Sequence, residues 1–123
     1  MRLRSSAAVL LAVLTAGCGG SSNNNSSMTN PSPSNGATVT IVSGARSLTT
    51  TAYSPNPISV SVGTTITWVN NDSTAHTATS NNGAFDTGAI SAGGSVSKQF
   101  STAGSFPYHC TFHPGMVATI NVQ

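Results

Sequence analysis

The chain has 123 residues, with four basic and two acidic side chains and a formal net charge of +2. This length allows one domain and additional segments outside it. Arg2 and Arg4 stand at the extreme N-terminus, and the remaining fixed charges cancel. The rest of the chain therefore offers neither a basic surface for nucleic acid nor an acidic surface for a cationic partner, and we expect no nucleic acid among its partners.

The N-terminus predicts export. Arg2 and Arg4 precede an apolar run over residues 7–15 that is too short to span a bilayer as a mature helix. The run continues into LTAGC, which ends at Cys18 and resembles the cleavage motif of bacterial lipoproteins. This resemblance implies a signal peptide over residues 1–17, acylation of Cys18, and membrane anchoring on the periplasmic or cell-surface side. An ordinary secretory signal cut nearby is the alternative, and it too would export the chain.

The segment that follows, residues 18–36, predicts a flexible tether. After Cys18 it consists almost entirely of Gly, Ser, Asn and Pro and shows no apolar periodicity. Such a composition cannot bury enough apolar surface to offset the entropy lost on ordering. We therefore expect the folded domain to occupy residues 37–123, which is enough chain for one modest core.

Short alternating runs in residues 37–123 predict an all-β domain. In each run every second residue is apolar, and Ser, Thr or Asn mostly stands between, as half-buried strands require. Turn-forming clusters separate the runs, and residues 54–57 and 80–93 are the least regular parts. Seven or eight strands in a domain of this size predict a β-sandwich or a small barrel. The apolar sets are Val39 and Ile41; Ile58, Val60 and Val62; Ile66 and Trp68; Phe106, Tyr108 and Cys110; Ala118, Ile120 and Val122.

The motif YHCTFHPGM, residues 108–116, concentrates side chains that bind soft metals. Burial alone would explain Cys110 but not His113 and Met116 at matching intervals after it. A thiol hydrolase would need a base and a third group that orients the base. The two carboxylates, Asp72 and Asp86, are not close to the motif in sequence, and no Gly-rich oxyanion loop stands out. A metal site explains every member of the cluster.

Cysteine, histidine and a thioether together favour copper, because structural zinc sites rarely include methionine. A trigonal set of two His and one Cys with a weak axial Met is the arrangement of electron-transfer copper. The second histidine cannot be His109, because neighbours on a strand point to opposite faces and His109 adjoins Cys110. His76, in the loop after the Trp68 strand, is the remaining candidate for a site that holds one mononuclear copper ion.

Three segments and one histidine carry a resemblance to a known family. These are VGTTITWVNND, His76, GAFDTGAISAGGSVSKQF and GSFPYHCTFHPGM, in chain order. Together they resemble the cupredoxins of the plastocyanin/amicyanin group across essentially the whole domain. The resemblance implies a Greek-key β-sandwich of seven to eight strands. It also implies that His76, Cys110 and His113 are equatorial copper ligands and that Met116 is the axial ligand. Thr77 stands where many relatives have Asn, and it would face Thr111.

By this resemblance the protein would be a type 1, or blue, copper protein that shuttles one electron and is not an enzyme. A redox partner protein would dock on an apolar patch near His113 and Phe112. A copper nitrite reductase would need more histidines, and a dinuclear copper site would need a second cysteine where Phe112 stands. The alternative is a copper carrier or storage protein, which would release Cu(I) readily to a chelator.

Overall fold

Two four-stranded sheets pack face to face in the computed structural model, which describes residues 35–123. This confirms the predicted all-β sandwich. The strands are β1 (Gly36–Ile41), β2 (Tyr53–Ser54), β3 (Ile58–Val60), β4 (Thr64–Asn70), β5 (Thr79–Ser80), β6 (Ser95–Phe100), β7 (Gly104–His109) and β8 (Val117–Val122). One turn of 3-10 helix, Ala45–Ser47, follows β1.

The predicted signal peptide, the lipidated Cys18 and most of the predicted tether lie outside the described residues and stay predictions. The first strand begins at Gly36, the last residue assigned to the tether. Within residues 35–123, no helix combines the length and the apolar character needed to cross a membrane.

The first sheet has the strand order β2-β1-β4-β6, and the second has the order β3-β8-β7-β5. The β1–β4 and β3–β8 pairs are parallel, and the other pairs are antiparallel. Alternation along each strand turns one face of each sheet inward. In β4, for example, Ile66 and Trp68 are fully buried, and in β8 Ile120 is fully buried. The core therefore lies between the two sheets.

Aromatic rings fill the middle of this core. Trp68 stacks on Phe85 with ring centroids 5.6 Å apart, and it meets Tyr108 edge-on at 5.9 Å. These are the geometries that aromatic pairs prefer. The indole N–H of Trp68 lies 3.3 Å from the Tyr108 hydroxyl oxygen, so the buried polar group has an acceptor.

Val62 departs from the sequence prediction. The alternation places it on the inner face with Ile58 and Val60, but β3 ends at Val60 and Val62 is 47% exposed. The chain turns at this point, where Gly63 adopts a φ of +95° and the Val62 N–H donates to the Gln123 carbonyl. The turn ends the alternation before Val62 can reach the core.

The register of the short strand β5 positions two loops against each other. Thr79 of β5 pairs with His109 of β7 in an antiparallel register, so the residues before Thr79 lie beside those after His109. Two backbone hydrogen bonds with Ile90, of 3.2 and 2.7 Å, also hold the backbone of His76. The β4–β5 loop is therefore fixed next to the β7–β8 loop.

A matched pair of valine substitutions tests this account of the core. Val39→Ala removes fully buried methyl groups, and we expect it to lower the free energy of unfolding by about 2 kcal/mol. Val62→Ala makes the same change at an exposed position, and we expect a loss below about 0.5 kcal/mol. Urea unfolding followed by Trp68 fluorescence measures both. Equal losses would contradict the inward placement of Val39 and the outward placement of Val62.

Candidate metal centre

Two loops at one end of the sandwich bring together three of the predicted ligands. His76 comes from the β4–β5 loop, and Cys110 and His113 come from the β7–β8 loop. The Cys110 Sγ lies 3.7 Å from His76 Nδ1 and 3.9 Å from His113 Nδ1, and the two Nδ1 atoms are 3.2 Å apart. The centre of such a triangle lies about 2 Å from each corner, which is the length of a metal–nitrogen or metal–sulfur bond.

The backbone of the β7–β8 loop curls to bring its donors together. The Cys110 N–H donates to the Met116 carbonyl at 3.1 Å, and the Met116 N–H donates to the His113 carbonyl at 2.9 Å. Met116 is fully buried and directly precedes β8. Pro114 and Gly115 form the exposed tip of the loop, between His113 and Met116. The structure thus gives the tight turn that the sequence spacing requires.

His109 points away from this cluster, as the strand alternation predicts. Its Nδ1 lies 2.6 Å from Asn81 Oδ1 in an exposed contact on the outer surface. It is not a member of the donor cluster found in residues 35–123.

Asp72 is a functional residue that the sequence analysis missed. Its carboxylate is buried, and its Oδ2 lies 2.7 Å from Nε2 of His76. An ionised carboxylate can only accept hydrogen bonds, so Nε2 of His76 carries the proton. The lone pair of the ring is then on Nδ1, which faces Cys110. Asp72 therefore fixes the tautomer of His76 that can bind a metal. Although Asp72 is distant from the motif in sequence, the fold brings it to the metal donors through His76.

The second oxygen of Asp72 joins two other segments. Its Oδ1 accepts hydrogen bonds from the N–H groups of Gly44, at 2.9 Å, and Ser73, at 2.8 Å. The hydrogen bond with His76, followed by those from the two backbone amides, holds the pKa of the Asp72 carboxyl well below its usual range. A lowered pKa means that this carboxylate stabilises the fold above about pH 4. That contribution is lost as the pH falls towards the native pKa.

Asn70 holds the turn that presents Asp72. Its fully buried side chain donates from Nδ2 to the carbonyls of Thr74, at 2.8 Å, and Ile90, at 2.9 Å. Its Oδ1 accepts from the Asp72 N–H at 2.9 Å. The Asn70-Asn71-Asp72 turn and the spacing of four residues from Asp72 to His76 are the sequence signals that could have indicated this arrangement.

Thr77 connects the two loops at the cysteine. Its N–H donates to the Cys110 Sγ at 3.3 Å, and its Oγ1 accepts from the Thr111 N–H at 2.9 Å. Thr77 therefore faces Thr111 as predicted, and its hydroxyl takes part in the bridge between the loops. The Tyr53 hydroxyl donates to the Thr77 carbonyl from inside the core. Burial raises the pKa of Tyr53, so its hydroxyl keeps the proton that it donates.

The three donors differ in exposure. His76 and Cys110 are fully buried, whereas His113 is half-buried. Around His113, Phe112 is 52% exposed, and Pro114 and Gly115 are also exposed. Of the three donors, His113 is therefore the one that reaches the surface, and it does so within an uncharged patch.

Comparison with known proteins is consistent with this geometry. Residues 39–123 match the model of a family described as copper binding proteins, plastocyanin/azurin family. The chain is similar in structure to a purple cupredoxin from Nitrosopumilus maritimus, with 33% identity, a TM-score of 0.65, and 71% of this chain and 99% of that chain covered.

Variants of amicyanin are also similar. An oxidised proline-to-alanine variant has 26% identity and a TM-score of 0.60, with 72% of this chain and 82% of that chain covered. A methionine-to-alanine variant in the Cu(I) state has 25% identity and a TM-score of 0.60, with the same shares covered. No curated protein sequence matches the chain.

Replacing Asp72 tests its role in orienting His76. In Asp72→Asn the side-chain amide would donate towards Nε2, which favours the tautomer with the proton on Nδ1 and blocks that nitrogen as a ligand. We expect the affinity for Cu(I), measured by competition with a chelator, to fall about 10–100-fold. Asp86→Asn is the matched control, because Asp86 accepts from Thr79 Oγ1 and the Gly88 N–H at an exposed position. Equal affinities of the two variants would refute the role of Asp72.

Proposed function

The chain belongs to the plastocyanin/azurin family of copper-binding proteins, and we propose that it carries single electrons in the cell envelope. One copper ion would be held by His76, Cys110 and His113. Met116 would be the fourth ligand. The observation that carries the proposal is the triangle of one thiol sulfur and two imidazole nitrogens with edges of 3.7, 3.9 and 3.2 Å.

The donor set suits copper. A thiolate and two imidazoles in a trigonal arrangement, with a buried methionine at the end of the same loop, match the preference of electron-transfer copper. The two Nδ1 atoms face each other at 3.2 Å, so one metal ion could contact both imidazoles. Met116 is buried and its N–H donates to the His113 carbonyl, which supports its assignment as a ligand. When bound, copper supplies a one-electron couple between Cu(I) and Cu(II).

Contacts within the protein hold the donors in place. Asp72 orients the ring of His76, and the Thr77 N–H donates a hydrogen bond to the Cys110 sulfur. The start of β8 fixes the backbone of Met116. A site fixed in this way rearranges little when the charge on its metal changes, which favours electron transfer. The hydrogen bond to sulfur also adjusts the redox potential, because groups bonded to ligands tune the metal.

Electrons would enter and leave through His113. This half-buried ring sits in what we call the ligand-loop patch, formed by Phe112, His113, Pro114 and Gly115. Apart from the imidazole, the patch has no ionisable side chain. A redox partner protein with an apolar surface of its own would fit such a patch.

A thiol-dependent hydrolase is a poorer account of the same residues. Cys110, His76 and Asp72 follow one another like a nucleophile, a base and an orienting carboxylate. Cys110, however, is fully buried, so a substrate carbonyl cannot reach its sulfur. The protein would therefore act as a carrier of electrons rather than as an enzyme.

The proposed cellular location is inferred from the sequence. Members of this family are typically exported, and the apolar run over residues 7–15 supports export of this chain. Lipidation of Cys18 would anchor the protein to a membrane on the periplasmic or cell-surface side. Residues 19–36 would then tether the domain to that anchor.

Spectroscopy of the copper-loaded full chain tests the metal assignment. We expect an intense visible band from thiolate-to-copper charge transfer and a narrow copper hyperfine splitting in electron paramagnetic resonance, because sulfur donates electron density to Cu(II). Cys110→Ser should abolish both. A colourless wild-type protein would contradict the proposal. A coloured protein that surrenders Cu(I) readily to a chelator, instead of keeping it through repeated redox cycles, would favour the carrier alternative.

The ligand-loop patch can be tested without a known partner. Electron self-exchange between two copies of the protein requires their patches to meet, and it is measurable by nuclear magnetic resonance in mixed Cu(I) and Cu(II) samples. Phe112→Asp would place two like charges face to face, so we expect the self-exchange rate to fall at least about tenfold. Val62→Asp adds the same charge at the other large exposed hydrophobic residue of residues 35–123 and should change the rate little. Equal slowing by both variants would contradict docking through this patch.

A further inference from the structure

The sandwich is open along one side between its two sheets. β6 ends the first sheet, and β5 ends the second with just two residues, Thr79–Ser80. These pair with His109 and Tyr108, so the first half of β7 has no strand beside it on that side. A cleft of about 350 Å³ lies there, which falls within the size range of small-molecule sites in proteins.

Three phenylalanines line this cleft, which we call the edge cleft, together with Lys98 and Gln99. Phe85 and Phe100 meet edge-to-face with ring centroids 5.1 Å apart, and Phe100 and Phe106 lie 5.6 Å apart. Phe106 is half-buried, so its ring borders both the core and the opening. Phe85 and Phe100 are themselves buried, so Phe106 offers the largest aromatic surface to a ligand. Ala84, Ser101 and Thr102 complete the lining. A flat aromatic ring could pack against Phe106 and the accessible parts of the other two rings.

Lys98 gives the edge cleft a charge. By strand alternation it lies on the same face of β6 as the buried Phe100, and it pairs with the fully buried Ile66 of β4, but its own side chain is exposed. Among residues 35–123 the ion pair found is that of His76 with Asp72, and Lys98 takes no part in it. A lysine on an edge strand can act merely to prevent edge-to-edge pairing. Here it also borders an aromatic cleft, where its ammonium group can attract an anion.

We propose that the edge cleft binds a small aromatic carboxylate. Its ring would pack against Phe85, Phe100 and Phe106, and its carboxylate would meet the ammonium group of Lys98. The cleft is built at the end of the sandwich where β7 begins, whereas the metal donors follow the end of β7. This second site goes beyond electron transfer, and its existence does not depend on the identity of the metal.

Binding at the edge cleft would change the surroundings of the Trp68 ring in the core. Phe85 lines the cleft and stacks on Trp68 at 5.6 Å, and Trp68 is the single tryptophan of the chain. Phe85 also packs against Tyr108 at 5.8 Å, two residues before Cys110. Tryptophan fluorescence should therefore report occupancy of the cleft.

The test uses benzoate as the probe at low ionic strength, with the full chain both metal-free and in the Cu(I) state. Benzamide is the neutral match of benzoate, and acetate is an anion without a ring. We expect benzoate to shift the amide resonances of Phe85, residues 98–102 and Phe106 saturably, with a parallel change in Trp68 fluorescence. Benzamide and acetate should bind at least about tenfold more weakly, because each lacks one of the two contacts.

Two charge-removing variants localise the effect. Lys98→Gln should weaken benzoate binding about tenfold and leave benzamide binding unchanged. Arg46→Gln removes the other Lys or Arg charge of residues 35–123, outside the cleft, and should leave benzoate binding intact. Equal binding of benzoate and benzamide would overturn the proposal, as would shifts confined to the ligand-loop patch or the absence of saturation. None of these outcomes bears on the copper site, so the two proposals can fail separately.

Discussion

The contact between the Asp72 carboxylate and Nε2 of His76 is the interaction on which the metal site depends. It decides which ring nitrogen of His76 has a free lone pair, and therefore whether a buried imidazole can face the Cys110 sulfur as a ligand. The same carboxylate accepts the Gly44 N–H, so the ligand is joined to the turn that follows β1. Gly44 has a φ of +79°, a conformation that favours glycine, and it brings its N–H to the carboxylate without a side chain.

The sandwich supplies the rest of the site through strand register. Pairing of β5 with β7 sets the β4–β5 loop beside the β7–β8 loop, and Thr77 then bonds to both Cys110 and Thr111. The donors thus come from loops, but the loops are held by neighbouring strands and by buried side chains. This explains how segments without regular structure can keep three donor atoms within bonding distance of one point. Because His113 is the half-buried donor, electrons would pass between the metal and the surface through it.

The sequence predicts the parts of this protein that depend on local pattern. Strict alternation in β4 and β8 predicts their buried faces, and the spacing of Cys110, His113 and Met116 predicts a tight turn of metal donors. The role of Asp72 could not be read from spacing to Cys110, because it depends on contacts with Gly44 and His76 that the fold creates. Alternation wrongly predicts an inner-face position for Val62, because the alternating pattern continues in the sequence after β3 has ended. The place of Lys98 beside the edge cleft likewise emerges only when β6 is recognised as an edge strand.

The central claim is that the protein fixes His76 for metal binding before the metal arrives. Long-range proton–nitrogen correlation spectra of the metal-free full chain near neutral pH would test it most directly, because they distinguish protonated from unprotonated ring nitrogens. We expect Nε2 of His76 to carry the proton and Nδ1 to be unprotonated. A proton on Nδ1, or rapid averaging between the two tautomers, would contradict the claim that Asp72 prepares the site.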